Sequence, residues 1–150
     1  MKRIINLILF FIIVIVAKSQ QPVKWNYSAK KISGNQYQIY LTANIDEGWH
    51  LYSQKQPVSA IALPTKISFT KSPLIKLKGN IQEKGELKKT KEEILETEAW
   101  LYENKVNFIQ TVELKGAVKT NLTGNIEYQV CTNEKCLPPT TVNFSIALKE

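Results

Sequence analysis

The chain has 150 residues, of which 43% are hydrophobic, with a formal net charge of +7, two cysteines and one histidine. That length suits one ordinary domain with a real core, and two cysteines with a single histidine supply no recognisable zinc spacing. Much of the basic excess falls in one run, residues 84–91 (K-G-E-L-K-K-T-K), followed at once by Glu92 and Glu93, so it reads as a solvated loop and not as a nucleic-acid site.

In chain order, Met1-Lys2-Arg3 gives a positive start, and residues 4–17 are aliphatic or aromatic except for Asn6. Ala17 and Ser19 flank Lys18 at the spacing of a signal-peptidase site. This run of fourteen residues falls short of the roughly 20 that span a bilayer. The expectation is an exported protein with a leader at 1–19, the alternative being an uncleaved anchor. The leader holds three basic residues and no acidic ones, so cleavage leaves 131 residues and lowers the net charge from +7 to +4.

Alternation with period two then dominates. Val23, Trp25, Tyr27 and Ala29 alternate with polar residues, as do Tyr37 to Ile45 after the turn-like Ser33-Gly34-Asn35. Ile67 and Phe69 mark a short strand, and Ile75 and Leu77 another. Val106, Phe108, Val112 and Leu114 predict a long strand with Gln110 as its one polar inward position. Ile126, Tyr128 and Val130 lead into Cys131, and Val142 to Leu148 closes the series. Only residues 91–99 could pass for a short helix, without a convincing apolar stripe. Seven or more such strands predict an all-β fold, an immunoglobulin-like antiparallel sandwich in one domain over 20–150.

For chemistry there is little to choose from. His50 lies in G-W-H-L-Y-S with no nucleophile signature elsewhere, and reads as a half-buried turn histidine. Cys131 and Cys136 enclose Thr132-Asn133-Glu134-Lys135, a loop able to close a disulfide in an oxidising compartment. As a staple so short a loop is worth roughly 2 kcal/mol. Pro138 and Pro139 stop a central strand just beyond, which leaves Cys136 at an irregular, accessible place. Spacing alone leaves two readings open, a structural staple and a working dithiol, and leans to the staple. A metal chaperone is poorer, because no methionine or histidine cluster accompanies the thiols.

Three stretches shift that balance. Asp46-Glu47-Gly48-Trp49-His50-Leu51-Tyr52, Trp100-Leu101-Tyr102 before the Val106 strand, and Glu127-Tyr128-Gln129-Val130-Cys131 through Cys136-Leu137-Pro138-Pro139 follow one another in order. Together they resemble the N-terminal periplasmic domain of the bacterial thiol:disulfide interchange protein DsbD. The resemblance implies a periplasmic thiol–disulfide exchange module, a component of protein-disulfide reductase chemistry that acts with a redox partner. In it Cys136 exchanges with partners and Cys131 resolves. It implies an aromatic cap at Trp100, Leu101 and Tyr102, site-lining positions at His50 and Tyr52, and proton handling near Glu98. It implies no metal, no organic cofactor and no nucleic acid. The expected partners are thioredoxin-fold redox proteins and a separate membrane electron donor, and the expected state is a monomer. The alternative is a non-catalytic binding or structural β-sandwich.

Overall fold

A computed structural model describes residues 21–92 and 96–148. The leader expected at 1–19 lies outside the described residues, as do positions 93–95 of the segment that could pass for a helix. The described residues form nine strands: β1 (Val23–Ser33), β2 (Gln36–Ile45), β3 (His50–Tyr52), β4 (Lys66–Phe69), β5 (Ile75–Glu92), β6 (Thr97–Leu114), β7 (Thr120–Tyr128), β8 (Val130–Cys131) and β9 (Thr140–Leu148). The first sheet runs β1-β2-β6-β3-β8 with β5 on the other side of β6, and the second runs β4-β7-β9. Every named pairing is antiparallel. The fold is the all-β, immunoglobulin-like sandwich that the alternation predicts.

The period-two strands form because one face can be buried. In β2, Tyr37, Ile39, Leu41, Ala43 and Ile45 are buried while the residues between them are only partly covered. They meet Phe108 and Val112 of β6 and, from the second sheet, Leu122, Ile126, Phe144 and Ile146. Burying a side chain of this size fully contributes roughly 1.5–3 kcal/mol. Trp25 bridges the layers, 5.9 Å from Phe108 and edge-on to Tyr128 at 5.4 Å. Gln110 is buried as expected, and its Nε2 donates to the carbonyls of Lys78 (2.9 Å) and Thr111 (2.8 Å). That answers the demand that a buried amide find partners.

Four expectations change. Residues 91–92 and 97–99 are strand, so the short-helix alternative fails among the described residues. The basic run 84–91 is part of edge strand β5, not a loop, and its lysines stand in solvent. Their placement blunts an exposed sheet edge. Lys88 pairs with Glu103 at 2.6 Å, and Lys89 lies 4.2 Å from the ring of its cross-strand partner Trp100. His50 is buried in β3 and is neither half-buried nor in a turn. Trp100, Leu101 and Tyr102 lie in β6 and do not form a loop.

The turn that launches β3 has a plain cause. Trp49 N donates to Asp46 O at 3.1 Å, and Gly48 takes φ 80°. A type II turn needs positive φ at its third residue, and glycine supplies it without steric cost. The Asp-Glu-Gly-Trp stretch thus aims His50, Leu51 and Tyr52 along the sheet.

Candidate functional site

Cys131 ends β8 and Cys136 lies opposite it, the two joined by a disulfide with Cα atoms 4.0 Å apart. The separation follows from the hairpin. Leu137 N donates to Val130 O at 3.0 Å, and Thr132 N donates to Lys135 O at 2.8 Å. The cysteines therefore occupy the position between two hydrogen-bonded pairs, where facing residues approach most closely. The tip is closed by a side chain: Thr132 Oγ1 accepts from Glu134 N and Lys135 N, each at 3.1 Å. Beyond Leu137 the two prolines offer no donor, and pairing stops until β9.

Register decides what surrounds the sulfurs. His50 pairs with Cys131, Tyr52 with Leu101, and Leu101 with Lys88. Directly paired residues and residues two apart share a face. Cys131, His50, Tyr52, Leu101 and Ala99 therefore lie on one face of the first sheet. Leu51, Tyr102 and Val130 lie on the other and join the main core. The disulfide side carries its own small apolar cluster, Tyr52, Ala62, Ala99, Leu101 and Cys131, with Cys136 packed against it. The hairpin thus sits on the outer face of the sandwich, over a second core.

The two sulfurs differ. Cys131 is 0% exposed, whereas Cys136 is partly open. The Tyr52 hydroxyl lies 3.2 Å from Cys131 Sγ as its donor, and Tyr52 packs edge-to-face on His50 at 5.3 Å. The Tyr52 backbone is pinned as well, its carbonyl accepting from Thr65 Oγ1 at 2.5 Å. An open groove beside the hairpin is lined by Trp49, His50, Glu103, Asn133 and Lys135. Lys135 Nζ stands 5.7 Å from the centre of the Trp49 ring.

Of the residues singled out from sequence, Cys131, Cys136, His50, Tyr52 and Leu101 come together. Trp100 and Tyr102 do not, because alternation along β6 turns them to the opposite face. There Tyr102 donates to Glu83 Oε2 at 2.8 Å, and burial first, then this acceptor, pushes its phenol well above the usual tyrosine value. Glu98 shares that far face and accepts from Trp100 Nε1 at 3.2 Å. The acidic side chains that line the groove at the hairpin are Glu103, on the face of the disulfide, and Glu134 of the hairpin itself. Sequence reasoning also missed Ala62 and Ala99, small residues whose only signal was their lack of bulk. Among the described residues no group of His, Cys, Asp and Glu is placed to hold a metal ion.

A family model described as "Thiol:disulfide interchange protein DsbD, N-terminal" matches residues 18–148. Two solved structures share the fold. The N-terminal periplasmic domain of ScsB from Proteus mirabilis is 16% identical with a TM-score of 0.60, covering 88% of this chain and 48% of that one. This chain thus spans about half the length of that solved domain. The Neisseria meningitidis DsbD N-terminal domain in the reduced form is 14% identical with a TM-score of 0.53, covering 83% of this chain and 86% of that one. No curated protein matches the sequence.

Proposed function

The chain belongs to the family of DsbD N-terminal domains, and from that membership we propose that it is an exported thiol–disulfide exchange module working through Cys131 and Cys136. The observation that carries the reading is the asymmetry of the disulfide: Cys136 is partly exposed, whereas Cys131 is wholly buried with a tyrosine hydroxyl donating to its sulfur. A staple needs no such difference.

The exchange balances with this chain's own atoms. In the donating direction the Cys136 thiolate attacks one sulfur of a partner's disulfide, and the partner's other sulfur leaves as a thiolate that takes up a proton. The Cys131 thiolate then attacks Cys136 Sγ. The intermolecular bond breaks, the partner leaves as a dithiol, and the pair here ends oxidised by two electrons. Recharging runs the same steps backwards: a donor thiolate attacks Cys136 Sγ and Cys131 leaves. In the recharging direction negative charge forms on Cys131 Sγ as it leaves, where the Tyr52 hydroxyl donates. Hydrogen bonds to a charged group are the stronger kind, and a better-stabilised leaving thiolate departs faster.

The module relays reducing equivalents to oxidised exported proteins, with thioredoxin-fold partners and a separate membrane donor. Leu101, and not the whole Trp100–Tyr102 stretch, shields the buried sulfur. Support comes from its place in the cluster with Cys131. Glu103 takes the place first given to Glu98 as the acidic neighbour of the site.

The test is a trap. A Cys131→Ala variant should accumulate a mixed disulfide through Cys136 with an exported thioredoxin-fold protein, and Cys136→Ala should not. Equal trapping through either cysteine, or none, would sink the proposal. The competing structural reading predicts a reduction potential below about −300 mV for the pair, and exchange predicts a value appreciably less negative.

A further inference from the structure

The connection between β3 and β4, residues 53–65, is long for a sandwich and exposes apolar side chains. Val58, Ile61 and Leu63 are 108%, 64% and 47% exposed. The described residues contain seven exposed large hydrophobic side chains, and three of them fall within these six positions. Isolated exposed aliphatics need no explanation, whereas a group of them marks a contact surface. Residues 57–65 (P-V-S-A-I-A-L-P-T) also contain no charge.

This segment is held in place. Gln56 Nε2 donates to Trp100 O at 2.6 Å, and Trp100 N donates back to Gln56 Oε1 at 3.1 Å, so a side chain continues the β3–β6 ladder. Ala60 N closes a turn onto Pro57 O at 3.0 Å, and Ile61 N reaches Thr97 Oγ1 at 3.5 Å. Ala62 is the residue turned inward, packed with Tyr52, Ala99, Leu101 and Cys131. Its neighbours Ile61 and Leu63 are turned outward by that choice.

Because Ala62 is in the disulfide's own cluster, the patch and the reactive sulfur are continuous. A partner that bonds to Cys136 must cover what surrounds it. A standard interface takes about 800 Å² per partner, a disc of roughly 16 Å radius. Ile61 and Leu63 are the chain neighbours of Ala62, which shares the Cys131 cluster against which Cys136 packs, so they border the ground that such a partner covers. We infer that Val58, Ile61 and Leu63 form a preset docking ledge for the apolar rim around the reactive cysteine of a thioredoxin-fold partner. This assignment rests on the exchange reading above. An uncharged, aliphatic ledge fits an apolar rim, and its hydrogen-bonded backbone leaves little ordering to be done on binding.

The experiment compares the oxidised wild type with a V58S/I61S/L63S variant, using dithiothreitol as the small thiol and a reduced thioredoxin as the protein thiol. All three side chains are exposed, so the variant keeps its core. The expected result is a dithiothreitol rate within twofold of wild type and a thioredoxin rate at least tenfold lower. A variant with I61V/L63M alone should recover most of the loss. A thioredoxin rate unchanged within twofold, or both rates falling together, would overturn the ledge. A wild type that reacts with dithiothreitol but is inert to thioredoxin sinks the exchange reading itself, and the ledge with it. Loss of binding to phosphatidylglycerol vesicles with an unchanged thioredoxin rate would assign the patch to a lipid surface instead.

Discussion

At the scale of single residues, the hydroxyl of Tyr52 is the donor to the buried sulfur, Cys131 Sγ. Its ring is wholly buried, so Tyr52→Phe keeps the ring packing and deletes the donor 3.2 Å from Cys131 Sγ. A hydrogen bond to a charged group contributes about 1.5–3 kcal/mol, and each ~1.4 kcal/mol on a barrier is tenfold in rate. The expected outcome is a thiol-exchange rate about tenfold lower at neutral pH with an unchanged far-ultraviolet circular dichroism spectrum. An unchanged rate would remove Tyr52 from the mechanism. The cysteines were legible in the sequence because their chemistry is carried by their type, and Tyr52 entered only through the family resemblance of its stretch. Ala62, Ala99 and Glu103 were not, since small or acidic residues carry no signal until a fold sets them beside a sulfur.

At the scale of elements, the strands with one buried face were readable and the long β5–β6 hairpin was not. Residues 84–91 present exposed side chains on both faces of an edge strand, so no alternation marks them, and composition alone suggests a loop. The three residues of β3 are all buried, one side against the main core and the other against the disulfide cluster, which also erases the period-two signal. The close approach of β4, β7 and β9 depends on Gly124. A Cβ there would stand 2.2 Å from Ser68 O and 2.5 Å from the Phe144 ring. The backbone oxygen belongs to a paired strand and cannot yield freely, so Gly124→Ala should cost at least the 1–3 kcal/mol typical of overpacking. Chemical denaturation should show a lower midpoint with an unchanged slope.

For the whole molecule, two buried sheets and a second small core leave the disulfide little structural work. Replacing both cysteines by alanine removes a very short loop closure, worth roughly 2 kcal/mol, and should lower the melting temperature by only about 5–10 °C. Loss of folding would instead favour the staple. Stability should also fall at high pH. Burial raises the phenols of Tyr27, Tyr102 and Tyr128, with Glu83 adding to the shift at Tyr102. Their contribution is complete below the unfolded tyrosine value of about 10 and is lost as pH rises through the higher folded values. Between the unfolded and the folded values the unfolded chain has released protons that the native state still holds, so the slope of stability with pH is negative there. A melting temperature rising or flat from pH 9 to 11 would contradict it. The sequence by itself determined the all-β class, most of the strands, and the two cysteines five positions apart, because alternation and residue type are local properties. The double proline already pointed to Cys136 as the accessible half, but the fold alone decided that the disulfide lies on the outer face of the sandwich and that Leu101 and not Trp100 meets it. Those outcomes depend on which strands pair and in what register, and a shift of one residue in register would have turned every one of these side chains to the other face.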